Sequence, residues 1–360
     1  MALYGLLAVL SIALTAQRLA YGSAVPQLIP KQYMGHANGV VQFTMGVARF
    51  LVPVVAVGLI AAVGLEVILV VDVAGYVFAV AVLLVVRFPA TMPWRSRESL
   101  MSEIRNGFSY LWRRPGLRAM VVYFFVLNAF LAAAFVLISP LALASGDLAD
   151  AGWIAMIAGI GATVGGGLMA LWGGPRRRRM YGMLVGSLCF AGFCALAGLR
   201  PSLPLIAVGV FGMCLTMAVV DGIWMTVIHT KVPHRFHARV IAVNQTLAMS
   251  TQPLGFVLIA PLAPALFDPL LQPGGALAGS VGTVLGVGDG RGLGLLYVLC
   301  GLCIAAWTAA AMRHPLLARF DIDVPDAEPD DLIGLRTIRQ RPTAMDIRDP
   351  DQVVAPAAEP

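Results

Sequence analysis

Charged side chains are what this 360-residue chain has least of. They make up 12% of it against 59% apolar residues, and mean hydropathy is +0.83. A soluble domain carries about 25% charged residues, so a water-soluble globular fold is excluded for most of the chain. Cysteine is sparse as well: the five (Cys189, Cys194, Cys214, Cys300, Cys303) all fall inside apolar runs. That excludes a disulfide framework, which needs paired cysteines in water-exposed loops. Cys300 and Cys303 form a CxxC, but on an apolar helix they are expected as two small packing residues on one face. No HExxH, no paired in-span carboxylates and no nucleophile–base spacing occur, so no enzyme is expected. His229, His234 and His237 have no nearby carboxylates or cysteines to complete a metal site, and are expected at the surface of a turn. The GVGDGRG stretch (286–292) follows no strand, which excludes a phosphate loop. No metal and no cofactor is expected.

Long apolar runs are what the chain does have. A helix needs about 20 mostly apolar residues to cross a bilayer. Nine candidate spans satisfy this, at about 2–20, 39–62, 66–87, 118–143, 151–172, 181–198, 203–229, 240–267 and 293–312. The net charge of +6 lies between these runs, where it sets orientation and does not form a nucleic-acid footprint. If the 88–117 segment, with Arg95, Arg97, Arg105, Arg113 and Arg114, is cytoplasmic, alternation puts Lys31, Arg176–Arg179 and the Lys231/Arg235/Arg239 loop on the same side. The other side receives Glu66, Asp147, Asp150, Arg200, Asp268, Asp289 and Arg291. One choice of sign satisfies every loop, as positive-inside insertion requires. An odd span count then places Met1 outside and the tail in the cytoplasm.

Three segments are not spans. Residues 97–114 place Leu100, Ile104, Phe108 and Leu111 at helical spacing with arginines between them, the pattern of an amphipathic helix lying on the membrane surface. The Gly-rich stretch 268–292 has room for a short interfacial or re-entrant helix. The tail from about 315 mixes acids, arginines and prolines without apolar periodicity, and is expected to be disordered.

Four stretches resemble the major facilitator superfamily, and within it the bacterial branch of the enterobactin exporter and macrolide-efflux-type proteins. They are SAVPQLIPKQYMGHANGVVQ (23–42), ILVVDVAGYVFAVAVLLVVRFP (68–89), EIRNGFSYLWRRPGLR (103–118) and VPHRFHARVIAVNQT (232–246). GGPRRRR (173–179) lies where the family's second basic loop is expected. The resemblance implies an all-α polytopic membrane protein, an incomplete major-facilitator fold with about nine transmembrane helices. These are three helices of the N-terminal bundle (1–87) and a complete six-helix C-terminal bundle (118–313). A cytoplasmic linker (88–117) joins the bundles and a disordered cytoplasmic tail (314–360) ends the chain. The family's first three helices have no counterpart, which leaves open an upstream start or a decayed, non-transporting fragment. The family's fifth-helix antiporter pattern is degraded: Pro53 follows Val52, and the next glycine, Gly58, comes one place late. The implied activity is proton-coupled efflux of amphiphilic small molecules across the bacterial cytoplasmic membrane. The implied partners are the lipid bilayer, a small amphiphilic substrate and protons.

A charge inside a bilayer costs about 2.5–3.5 kcal/mol at mid-span, so each one is a functional candidate. Arg49, Asp221 and Asp72 stand out. Equal depth on the second and seventh spans suggests an Arg49–Asp221 ion pair between the bundles, breaking and re-forming with alternating access. The other reading has Arg49 snorkelling or paired within its bundle, and Asp221 bonded to a neighbouring helix. Asp72 lies near an interface, where a structural role is expected. Asn128, Asn244, Gln245, Thr246, Thr251 and Gln252 line a substrate cavity or make interhelical bonds. Gly161 and Gly165–Gly167 suit close helix packing. Met213, Met217, Trp224 and Met225 suit the core or a promiscuous apolar face. Arg176, Arg177, Arg178, Arg179 and Arg239 are candidates for gating at the cytoplasmic loops.

Overall fold

The computed structural model describes residues 33–85, 111–232, 234–254, 263–288 and 290–324, with 4, 5, 11, 13, 14, 109 and 326. Its long helices are α1 (Met34–Val85), α2 (Pro115–Val136), continued by α3 (Ile138–Leu143), α4 (Leu148–Trp172), α5 (Arg179–Leu199), α6 (Leu203–Lys231) and α7 (His234–Leu254). A π-helical turn at Ala263–Phe267 leads into the short α8 (Asp268–Leu271) and α9 (Gly282–Leu285). The long α10 (Arg291–Arg313) and the short α11 (Pro315–Ala318) and α12 (Phe320–Asp323) complete the described chain.

Among the described residues five helical segments are long and apolar enough to span a membrane: Pro115–Leu143, Leu148–Trp172, Arg179–Leu199, Leu203–Lys231 and Arg291–Arg313. They coincide with the fourth to seventh and the ninth expected spans. The second and third expected spans both lie on α1, which breaks at Gly64 (φ 76°, ψ 167°). Only glycine reaches that backbone conformation without strain, and it falls between the two apolar runs. The eighth corresponds to α7 plus the π-turn. Most of the first span, most of the surface helix and Met1 lie outside the described residues.

Glycines set the helix order by letting backbones touch. A Cβ at Gly161 or Gly165 of α4 would lie 2.4 or 2.2 Å from the carbonyl oxygens of Phe211 or Leu215 on α6. The constant offset makes α4 and α6 parallel. Gly209 and Gly212 press on Ala197 and Phe193 of α5, and Gly198 and Gly301 join α5 to α10, so each of these pairs is antiparallel. Tyr123 hydroxyl pairs with Thr308 Oγ1 at 3.1 Å and Tyr297 hydroxyl donates to the Ala134 carbonyl, making α2 antiparallel to α10. The starts of α2 and α5 and the ends of α4, α6 and α10 therefore share one side, with Arg113, Arg114, Arg118, Arg176–Arg179, Lys231 and Arg313. This is the basic face.

The core between these helices is aromatic and sulfur-rich. Trp224 stacks on Phe124 with ring centroids 3.9 Å apart, and Met213 is fully buried, as plain packing predicts. All five cysteines are free. Cys300 is buried and Cys303 exposed, so the CxxC does not share one packing face.

Two expectations need correction. The segment after 314 is not structureless at its start: α11 and α12 fold back on the bundle and Phe320 is fully buried. Its apolar residues are too few for a periodic signal, yet two of them (Leu317 and Phe320) suffice to dock it. His229 is not a surface residue but 2% exposed, because α6 continues to Lys231 beneath α1. The side chains of His234 and His237 lie outside the described residues. The 268–292 stretch holds two short helices, α8 and α9. Asp268 accepts from the Gly292 amide at 2.7 Å, capping α10.

Candidate functional site

Helix α1 touches α4 and α6 through two adjacent faces. The first face carries Gly35, Gly39, Phe43, Gly46 and Phe50. A Cβ at Gly39 would meet Ala170 N at 2.2 Å, one at Gly46 Thr163 N at 2.5 Å, and one at Gly166 Phe43 N at 2.2 Å. The register is antiparallel, and glycine alone allows this backbone approach. His36 Nδ1 donates to the Ala170 carbonyl at 2.7 Å. At the basic end α4 stops at Gly173 (φ 75°), where a Cβ would meet the His36 ring. The close contact runs from Gly35 to Phe50. Beyond it, Gly152, about two turns from Gly159 on the same face of α4, meets nothing within 4 Å. The two helices are closed at the basic face and the tight contact has ended by Gly152.

The second face of α1 carries Asn38, Gln42 and Arg49 against α6. Asn38 Nδ2 donates to Thr226 Oγ1 at 3.0 Å and lies 3.5 Å from His229 Nδ1. The Gln42 amide and the Arg49 guanidinium both act on the Asp221 carboxylate, and Arg49 acts also on Cys214. These pairs step along α1 and α6 in opposite directions. Gln42 faces Asp221, and Arg49 faces Cys214, about two turns or 10 Å further along. Arg49 and Asp221 thus attract without forming an ion pair within 4 Å; among the described residues such pairs are Arg179–Asp326 and Lys231–Asp326. The equal-depth expectation is corrected by the helix start. α1 begins at Met34, not 39, which moves Arg49 about a turn and a half deeper. Asn38 was missed for the same reason; Gln42 lay inside the expected span but carries no charge to mark it, although 38, 42 and 49 share one helical face.

The other candidates disperse. Asp72 is exposed on the second half of α1. Asn128 donates to its own helix at Phe124 O, 2.8 Å, and Thr246 and Thr251 bond back to Ala242 and Ala248. These three are locally satisfied. Asn244 is buried and Gln245 half-buried on α7. The side chains of Gln252 and Arg239 lie outside the described residues. Arg176, Arg177 and Arg178 are exposed, and Arg179 is half-buried.

Arg176, Arg177, Arg179, Lys231, Asp321 and Asp326 surround a cavity of about 290 Å³ at the basic face. Arg179 donates to Thr230 Oγ1 at 2.7 Å. Lys231 Nζ donates to the carbonyls of Asp321 (3.3 Å) and Val324 (2.5 Å), and pairs with Asp326 at 3.0 Å. The Met180 amide at the start of α5 donates to Asp321 Oδ2 at 3.0 Å. Burial pushes the Asp321 carboxyl above the ordinary carboxylate range, against the opposing pull of the Met180 amide, Lys231 and Arg179. Residues 315–324, with Asp326, therefore strap the start of α5 and the end of α6 together, with Phe320 and Val324 against Gly116 of α2.

The model of the Major Facilitator Superfamily matches residues 2–256. The chain belongs to this superfamily. Over 173 residues it is 27% identical to the multidrug efflux pump Tap of Mycolicibacterium fortuitum, covering 47% of this chain and 41% of that protein. The chain thus spans about two fifths of the length of this curated relative. No solved structure matches it significantly. Superfamily membership and the apolar helices make it a multi-pass membrane protein, embedded in a lipid bilayer.

Proposed function

We propose that the chain is a secondary active transporter of the bacterial cytoplasmic membrane, exporting amphiphilic small molecules in exchange for protons by alternating access. The observation that carries this reading is Asp221, a carboxylate placed at the α1–α6 contact with Gln42 and Arg49 as its polar neighbours. An acid in an apolar helix contact changes the attraction between those helices when it takes or loses a proton. Ionised, Asp221 draws on the amide of Gln42 and the guanidinium of Arg49, which holds α1 on α6. Protonated, it releases Arg49 and loosens the contact. The positive-inside distribution supports a cytoplasmic basic face, and the tight α1–α4 contact there, ended by Gly152, then corresponds to a state closed to the cytoplasm. Likeness to a multidrug efflux pump and to the enterobactin-exporter branch supports an amphiphilic cargo.

Proteoliposomes carrying the chain test this with a lipophilic cationic dye and an imposed pH gradient. Asp221→Asn is expected to lower gradient-driven dye movement at least about tenfold, the effect of about 1.4 kcal/mol. Wild-type rates from Asp221→Asn under the same gradient would overturn the assignment. A second reading, a subunit that transports only with a partner, is favoured by the second half of α1. Its Val70, Val73, Val77, Phe78 and Val85 are exposed. Transport by singly reconstituted chains excludes it.

A further inference from the structure

We infer that the groove between the start of α2 and the end of α10 is a binding site for an anionic phospholipid. The groove encloses about 410 Å³ and is lined by Trp112, Arg118, Val122, Trp307, Ala310 and His314, among others. That volume falls within the range of ligand pockets. Its floor is fixed: Trp307 Nε1 donates to the Tyr123 carbonyl at 3.2 Å, and the two rings stack at 6.4 Å. Its walls are open, with Val122, Ala310 and His314 exposed. The apolar part occupies the two helical turns that enter the bilayer from the basic face. The polar part lies at the mouth, where Trp112 marks the interfacial level that tryptophan favours.

Charge complementarity selects the occupant. The Arg118 guanidinium stands 6.0 Å above the Trp112 ring, a cation–π contact that orients it and leaves its charge unneutralised. Arg118 has no carboxylate within 4 Å among the described residues. Of the acids that follow His314, Asp321 is held by the Met180 amide and Asp326 by Lys231, and Asp323 is exposed on α12 with no Lys or Arg within 4 Å among the described residues. Arg113 and Arg313, the exposed sequence neighbours of Trp112 and His314, add to the positive field there. A phosphodiester on Arg118 and His314, with an acyl chain along Val122, Ala310 and Trp307, satisfies both halves of the groove. Basic pockets between membrane helices on one face recognise lipid headgroups in this way. A zwitterionic lipid carries its own cation and gains less.

The purified full chain, stripped of lipid in mild detergent, is to be titrated with phosphatidylglycerol or phosphatidylcholine and read by native mass spectrometry. Phosphatidylglycerol is expected to be retained at least about fivefold more than phosphatidylcholine, the effect of one interfacial cation. Arg118→Gln with His314→Gln is expected to abolish that preference, and Arg118→Lys to keep it. Ala310→Trp fills the groove without altering charge, and is expected to lower phosphatidylglycerol retention at unchanged thermal stability. Equal retention of the two lipids by the wild type would overturn the inference. So would phosphatidylglycerol retention unchanged in both Arg118→Gln/His314→Gln and Ala310→Trp, or its full displacement by inorganic phosphate.

Discussion

Asp221 and Asp321 show how the same side chain is used in two ways. Asp221 meets Gln42 across a helix contact inside the bilayer, where a hydrogen bond between helices contributes about 0.6 kcal/mol on average and up to about 1.7. Gln42→Leu should therefore lower the unfolding free energy in detergent by about 0.5–1.5 kcal/mol. Arg49→Gln, two turns away, should cost less stability than Gln42→Leu; denaturant titration of both variants checks the order. Asp321 lies outside the spans and its carboxyl is raised by burial. A raised acid favours the folded state in its protonated form. Its contribution is thus present below the ordinary carboxylate pKa and lost as pH rises through the raised value. Thermal unfolding between pH 4 and pH 7 should show this slope, and Asp321→Asn should flatten it. Asp221 was legible in the sequence because a charge in an apolar run is conspicuous. Asp321 was not, because it sits in a segment rich in acids and only folding selects one of them to cap α5.

At the scale of the element, glycines decide which helices lie together. Gly166 and Gly167 are neighbours in sequence with different duties. A Cβ at Gly166 would lie 2.2 Å from the Phe43 backbone nitrogen, whereas one at Gly167 would find the Phe43 ring at an ordinary 3.4 Å. Gly166→Ala should cost about 1–3 kcal/mol through overpacking, and Gly167→Ala should be neutral or stabilising, since alanine is the better helix former. Chemical denaturation of both variants in detergent checks the contrast. The strap formed by α11 and α12 is held by Lys231, whose charged hydrogen bonds to two carbonyls contribute about 1.5–3 kcal/mol each at most. Lys231→Met should raise amide exchange across residues 315–326 at least about tenfold, while Asp326→Asn, exposed at 54%, should change it less than about fivefold. The close packing of Gly161 and Gly165 was expected from their spacing, but the partner helix of each was not.

For the molecule as a whole, the α1–α4 contact closes the basic side and no longer holds at Gly152 toward the other. With Cys189 and Cys303 replaced by serine, a cysteine at Gly152 should react with a membrane-impermeant maleimide from the face opposite the arginines. Cysteines at Gly39 or Gly46, where they fold, should be protected. Equal labelling of all three positions would contradict the geometry. Alternating access in a two-bundle protein requires this contact to break at the basic face while the far side closes. A bound lipid between α2 and α10 would sit away from the α1–α4 contact, at the periphery of the bundle.

Amino-acid order alone determined that the chain is helical and membrane-embedded, where five of its spans run and which loops carry the arginines. The reason is that bilayer thickness and backbone hydrogen bonding impose their limits on each segment separately, with no knowledge of its neighbours. Only the tertiary structure decided that Asp221 meets Gln42 and that Arg49 lies two turns away. It also decided that His229 is buried, and that the segment after His314 folds back to strap the bundle. Each of these depends on the register between two helices, which a shift of one turn in a helix start changes by about 5 Å. The few charged residues of the apolar spans were therefore visible from the start, and their partners were not.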